Sequence, residues 1–273
     1  MNLIDSHAHL TFDQLQKDLD AVLQRSLAAG VAGWITIGTD AGQNEKVISI
    51  LDKYENLFGA LGIHPHYASD ISTADIEQVK NLAKHNKIVA IGETGLDFHY
   101  NFSTRGELTC LERSRKSRTK QDAQKELFKN LLEIAAQRNL PVIIHSRNAF
   151  DETIGIIDEF KNNLKNVVFH CWGGTVEQTQ IVLDKGFHIS FTGVITFKNA
   201  DLTREAAKIV PLERMMIETD CPYMSPEPHR KQKINEPALL IHTARKIAQL
   251  KQMPLEKFAD EVTKTTKKFF ALP

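Results

Sequence analysis

Leu3-Ile4-Asp5-Ser6-His7-Ala8-His9 opens on an apolar pair and closes on two histidines one residue apart. Side chains alternate along a strand, so this spacing predicts Asp5, His7 and His9 on one side. The pattern recurs down the chain. Short apolar runs rich in β-branched and aromatic residues follow at 31–38, 57–63, 88–94, 142–146, 167–171, 187–193 and 215–220. Segments of helical length separate most of them, the first over 13–29 and stopped by Gly30. Eight strands alternating with helices predict parallel βα units, and eight is the number that closes a barrel. The expected fold is a (β/α)8 TIM barrel, one domain over residues 1–273. A doubly wound open sheet is the competing architecture, but no glycine-rich dinucleotide loop follows the first strand.

The bulk properties fit one core. The chain has 273 residues, 42% of them hydrophobic, within the range of a single α/β barrel. Its 34 basic and 34 acidic residues balance, so no global electrostatic grip on a polyanion is expected, and any phosphate contact must be local to a cleft. No basic stretch leads into an apolar run near Met1, and no apolar stretch approaches the roughly 18 residues of a membrane span. The cysteines, Cys110, Cys171 and Cys221, are too few and scattered for a secreted disulfide framework, which points to the cytoplasm. No membrane association and no obligate protein partner are expected. One segment, about 98–120, breaks the βα rhythm and carries Arg105, Arg113, Arg115, Lys116, Arg118 and Lys120. It reads as an insertion: a solvated loop without a role is favoured over a mobile basic flap above the site.

Residue types that bind metals recur at one kind of place. His7 and His9 close the first strand, His64 and His66 follow the third, and Glu93 closes the fourth. His145 closes the fifth, His170 the sixth and Asp220 the eighth. C-terminal strand ends converge on one face of a barrel, and six of the 11 histidines lie at these ends. A carboxylate at the end of an apolar strand is expensive to bury unpaired, so Glu93 calls for a cation or a basic partner, and its two oxygens suit a bridge between two cations. Asp220 suits both metal binding and work on a nucleophilic water. Taken singly, each position also has an ordinary explanation: a core histidine, an arginine-paired glutamate, a turn aspartate. Six together favour a binuclear metal site formed by His7, His9, Glu93, His145, His170 and Asp220. His64 and His66 suit donation to phosphate oxygens, and Arg147 and Arg230 suit bidentate phosphate contact. Cys171 and Cys221, next to His170 and Asp220, read as small apolar fillers turned away from the site. His85, His99, His188 and His242 receive no role.

These motifs together resemble the TatD family of metal-dependent deoxyribonucleases, among the amidohydrolase-like barrels. The likeness runs nearly end to end, through Asp5-Ser6-His7-Ala8-His9, Gly62-Ile63-His64-Pro65-His66, Gly92-Glu93-Thr94-Gly95-Leu96-Asp97, His145-Ser146-Arg147, Phe169-His170-Cys171, Ser190-Phe191-Thr192-Gly193 and Glu218-Thr219-Asp220-Cys221-Pro222-Tyr223. The resemblance implies two divalent cations; magnesium, manganese and zinc are the candidates. His7, His9, Glu93 and Asp220 would hold one, and Glu93, His145 and His170 the other. His64, Arg147 and Arg230 would face the phosphate, with Asp220 and Glu93 catalytic. The implied reaction is hydrolysis of DNA phosphodiester bonds, as a 3′-5′ exonuclease on single strands, with a part in DNA repair. The chain departs from the family in the long 98–120 segment, in Asn148 after Arg147, and after the eighth strand. There Pro228-His229-Arg230-Lys231 lacks the family's glycine and the loop is one residue longer. Similar barrels hydrolyse other bonds, so the alternative is an ester or amide hydrolase of small-molecule or aminoacyl substrates. A nucleic-acid-binding protein without turnover is the third possibility.

Overall fold

In the computed structural model, all eight apolar runs are strands. It describes the backbone of residues 1–99 and 110–273 and the side chains of residues 1–99 and 120–273. The strands are β1 (Leu3–Ala8), β2 (Val31–Ile37), β3 (Leu57–Leu61), β4 (Ile88–Asp97), β5 (Val142–Arg147), β6 (Val167–Phe169), β7 (His188–Phe191) and β8 (Met215–Ile217). They pair in parallel and in chain order within one sheet. The helices are α1 (Asp13–Gln16), α2 (Leu19–Ala28), α3 (Ala41–Leu51), α4 (Thr73–Leu82), α5 (Cys110–Arg138), α6 (Phe150–Phe160), α7 (Val176–Asp184), α8 (Asp201–Ile209), α9 (Leu240–Leu250) and α10 (Leu255–Phe270). The fold is the expected (β/α)8 barrel rather than an open sheet.

Strand alternation sorts the core into two layers. Leu57, Leu61, Val142, Ile144, Val167, Phe169, Met215 and Ile217 face outward and pack under the helices. Ile35, Ile37, Ala60, Ala90, Ile143, Val168 and Met216 fill the barrel itself. On β5 and β6, the residue two places beyond this inner layer is a candidate ligand, His145 after Ile143 and His170 after Val168. The last helix closes the opposite end. α10 buries Phe258, Val262, Thr265, Thr266, Phe269 and Phe270, a helical spacing of three and four, and Phe269 and Phe270 join the inner layer.

The seam between β8 and β1 is made by different means. The Asp220 amide donates to the carbonyl of His7 at 2.9 Å, and the His9 amide to that of Cys221 at 2.8 Å. The Asp5 carboxylate accepts the Thr219 amide at 2.9 Å and the Thr219 hydroxyl at 2.5 Å. Burial pushes the Asp5 carboxyl up to about 7, against the pull of those two bonds. Asp5 therefore does not share the site-facing side with His7 and His9, as simple alternation predicts. The ladder from β1 to β2 shifts register between Asp5 and Ala8, and the alternation breaks there.

Two helix boundaries also differ from expectation. The 13–29 segment is two helices, because Asp18 leaves the helical region with φ −128°. The segment read as an insertion over 98–120 is in part helix: α5 begins at Cys110, eleven residues before the 121–138 stretch that the periodicity marks. The basic residues of that segment, Arg105 through Arg118, lie outside the residues whose side chains are described, so neither the solvated loop nor the basic flap is tested there.

His188, given no role from sequence, starts β7 at the closed end of the barrel and meets the Phe269 ring edge-on at 4.8 Å. Burial, and then the Arg214 guanidinium, lower its pKa to about 4. The unfolded chain takes this proton at the ordinary value near 6.5 and the folded protein only near 4. The contribution of this group is thus full at neutral pH and is lost as pH falls from 6.5 to 4, by about 3 kcal/mol in all. Denaturant unfolding at several pH values should show His188→Gln losing less stability over that window than the parent protein. Parallel acid profiles would refute the assignment.

Candidate active site

Glu93 is the centre of the site. It is 3% exposed and reaches inward from β4, whose ladder to β5 shifts register between Ile91 and Thr94. Gly92 and Gly95 permit this path. Their φ values of +148° and +134° suit glycine, and a Cβ on Gly95 would stand 2.1 Å from the carbonyl oxygen of His145. Around the carboxylate, the imidazoles divide between its two oxygens. Oε2 lies 3.6 Å from His7 Nε2 and 3.9 Å from His9 Nε2. Oε1 lies 2.7 Å from His145 Nδ1, 2.8 Å from His170 Nε2 and 3.6 Å from His64 Nε2. Asp220 Oδ1 completes the first side, 3.2 Å from His9 Nε2 and 3.6 Å from His7 Nε2.

The electrostatics follow from this crowding. Burial raises the Glu93 carboxyl, but the His170 and His64 imidazoles and the bonds to His145 and His170 outweigh it and hold the group well below the usual carboxylate range. Asp220 is likewise lowered, its burial overcome by His9 and His7. His170 is raised well above the ordinary histidine value, because Glu93 and Glu218 offset its burial. His64 is lowered to about 3 by burial and stays neutral at neutral pH.

The donor set fits divalent cations. His7 is fully buried, and neither of its ring nitrogens has a hydrogen-bond partner, nor does His9 Nδ1. Leaving a buried polar atom unpaired costs about 1–3 kcal/mol, and a coordinated cation removes that cost. Among the described residues, three groups have ligand atoms within 4.8 Å of one another: His7, His9 and Glu93; His7, His170 and Asp220; and His64, Glu93 and His145. The six residues marked by sequence thus converge, and His64 stands close enough to act as a further donor.

The cleft above them, about 990 Å³, is lined by His9, His64, His66, Glu93, His145, Arg147, His170 and Asp220 among others. Arg147 lies on it, as expected. Arg230 does not line it: its guanidinium stacks on the Phe197 ring, 3.8 Å from the centroid. Cys171 lies on the cleft wall instead of facing away. β6 ends at Phe169, so strand alternation no longer governs position 171, where φ is +46°. Burial, and then Asp220, push its thiol well up. Cys221 is fully buried, as a filler should be.

Two carboxylates escaped the assignment of roles from sequence. Asp97 Oδ2 is 3.1 Å from His145 Nε2 and 3.1 Å from His66 Nε2. Gln124 of α5 clamps the Asp97 backbone, accepting from its amide and donating to its carbonyl, both at 3.0 Å. Glu218 Oε1 accepts the Cys171 amide at 2.6 Å and stands 3.3 Å from His170 Nδ1. Each carboxylate holds the far side of an imidazole whose near side meets Glu93, which sets ring orientation and tautomer. Their positions inside the Gly92–Asp97 and Glu218–Tyr223 motifs were the available signal, but only contact shows which histidine each one serves.

The model of the family described as TatD related DNase matches residues 4–271. The uncharacterized metal-dependent hydrolase YabD of Bacillus subtilis is 35% identical, the match covering 99% of each chain. The 3′-5′ ssDNA/RNA exonuclease TatD of Salmonella typhimurium is 33% identical, over 90% of each. Among solved structures, the TatD homologue YJJV of Escherichia coli superposes with a TM-score of 0.86 at 28% identity, covering 99% of this chain and 98% of that one.

Removing the negative charge behind His145 should loosen divalent-metal binding. Asp97→Asn is expected to weaken the affinity about 10- to 100-fold in chelator competition while leaving the fold intact. An unchanged affinity in the folded variant would contradict the positioning role.

Proposed function

The chain belongs to the TatD-related DNase family, and from that premise we propose that this metal-dependent hydrolase cleaves phosphodiester bonds of single-stranded DNA from the 3′ end. The relatives named 3′-5′ ssDNA/RNA exonucleases support the substrate class. The observation that carries the reading is the split of nitrogen donors between the two oxygens of Glu93. His7, His9, Glu93 and Asp220 would hold one divalent cation, and Glu93, His145 and His170 a second. Magnesium, manganese and zinc are the candidates. Bound there, such cations lower the pKa of water and neutralise charge gathering on the phosphate.

The side chains supply the rest. Asp220, held ionised, accepts the proton of the attacking water. Glu93, also ionised, keeps the surrounding His145 and His170 imidazoles in place. Arg147 binds a nonbridging phosphate oxygen at the cleft wall, and neutral His64 donates to another. Arg230, stacked on Phe197, acts at the phosphate only if it leaves that ring. Cys171 and Cys221 are both free thiols, in keeping with work in the cytoplasm, where trimming of 3′ ends would serve DNA repair. Among the described residues, no helix is long and apolar enough to cross a membrane.

The deciding assay follows a 5′-labelled single strand after chelator stripping and return of magnesium, manganese or zinc. Metal-restored shortening from the 3′ end is expected. Glu93→Ala and Asp220→Ala should each lower the rate by roughly 10²–10⁴-fold with the fold retained. Full activity in either variant sinks the scheme. An intact strand with folded, metal-replete protein moves the assignment to a non-DNA ester or amide.

A further inference from the structure

Tyr67 and Tyr223 are unusual among the described residues, because they are large aromatic side chains left open to water at the site itself. Tyr67 is 44% exposed and Tyr223 51%, and both line the cleft that holds the donor cluster. They come from different parts of the barrel. Tyr67 ends the short turn after β3 that begins just beyond His64, and Tyr223 lies three residues past Asp220.

Both sit on fixed backbone. The Tyr67 amide donates to the His64 carbonyl at 3.0 Å, and its own carbonyl accepts the Asp70 amide at 2.9 Å. The Tyr223 amide donates to the Asp220 carbonyl at 3.1 Å, and its carbonyl accepts the Asn235 side-chain amide at 2.6 Å. The Tyr223 ring is braced by Phe12 and His9. It stands nearly perpendicular to Phe12, at 6.2 Å and 84°, and to His9, at 6.3 Å and 70°, while Phe12 stacks on His9 at 4.7 Å.

We propose that Tyr67 and Tyr223 form a base-stacking subsite beside the phosphate position, whose ligand is the unstacked nucleobase of a nucleotide held at the metal-binding cluster. Exposed rings on rigid backbone offer flat apolar faces at little entropic cost, and every nucleobase has a matching face. Stacking tolerates any base, and it demands a base free of its duplex neighbours, so it selects single strands without reading sequence. It also suits a chain with no net charge, which has little long-range attraction for a polyanion. The identity of the natural ligand rests on the nuclease reading above, but the subsite is testable by binding alone.

The test compares two ligands with the same phosphate, thymidine 5′-monophosphate and the base-free 1,2-dideoxyribose 5-phosphate, by titration calorimetry on the metal-loaded protein. The parent protein should bind the nucleotide about 10-fold or more tightly than the base-free ligand. Tyr67→Ala and Tyr223→Ala should each erode that preference, and the double variant should abolish it, with affinity for the base-free ligand unchanged. Tyr67→Phe and Tyr223→Phe keep the ring and should keep the preference, which separates stacking from damage to the fold. Equal affinity of the parent protein for both ligands, including none measurable, or a preference that survives the double variant, would overturn the subsite. A base preference in a protein that leaves single-stranded DNA uncut would sink the nuclease reading and leave the subsite standing. Cleavage without base preference would do the reverse.

Discussion

A carboxylate withdrawn from water in the mouth of a closed barrel has to be compensated, and the site is organised around that requirement at Glu93. Five imidazoles lie within 3.9 Å of its two oxygens. The attraction of His170, His64 and His145 overcomes the desolvation that opposes its charge. The imidazoles in turn need their far nitrogens fixed, and for His145 and His170 that task falls to Asp97 and Glu218. These carboxylates accept backbone amides, Asp97 that of His99 and Glu218 that of Cys171, and Gln124 of α5 clamps the Asp97 backbone. Among the described residues the centre is therefore pre-set by concentric polar contacts.

Closing the barrel and assembling the site are the same event. The seam joins β1 to the segment after β8 through bonds at His7, His9, Asp220 and Cys221, and the Asp5 carboxylate locks it at Thr219. Two of those residues are histidines facing Glu93, and a third is the aspartate opposite them. A barrel opened at this seam would separate Asp220 from His7 and His9, so loss of fold and loss of site are coupled there. At the other end, Phe269 and Phe270 complete the inner apolar layer and leave the chemistry at a single face.

The chain carries 34 charges of each sign, and one cleft brings Arg147, the donor cluster and two exposed tyrosines together. The Arg230 guanidinium lies on the Phe197 ring, apart from that lining.

Much of this was legible in the chain before folding. Short apolar runs at eight places specify strands, and segments of helical length between them specify parallel crossovers. Polar residues with ligand chemistry at the C-terminal ends of those runs specify a shared face, because barrel geometry brings those ends together. His7, His9, Glu93, His145, His170 and Asp220 were readable for this reason. Periodicity is a local property, however, and it failed wherever the backbone left its period. The register shift in β1 sends Asp5 to the seam, β6 stops before Cys171 and lets it line the cleft, and α5 starts at Cys110. Contacts between elements distant in sequence carry no local signature at all. That Asp97 serves His145, that Glu218 serves His170, that Arg230 rests on Phe197, and that Tyr67 and Tyr223 open onto one cleft were decided only by the closed barrel, which sets the distances that spacing along the chain cannot.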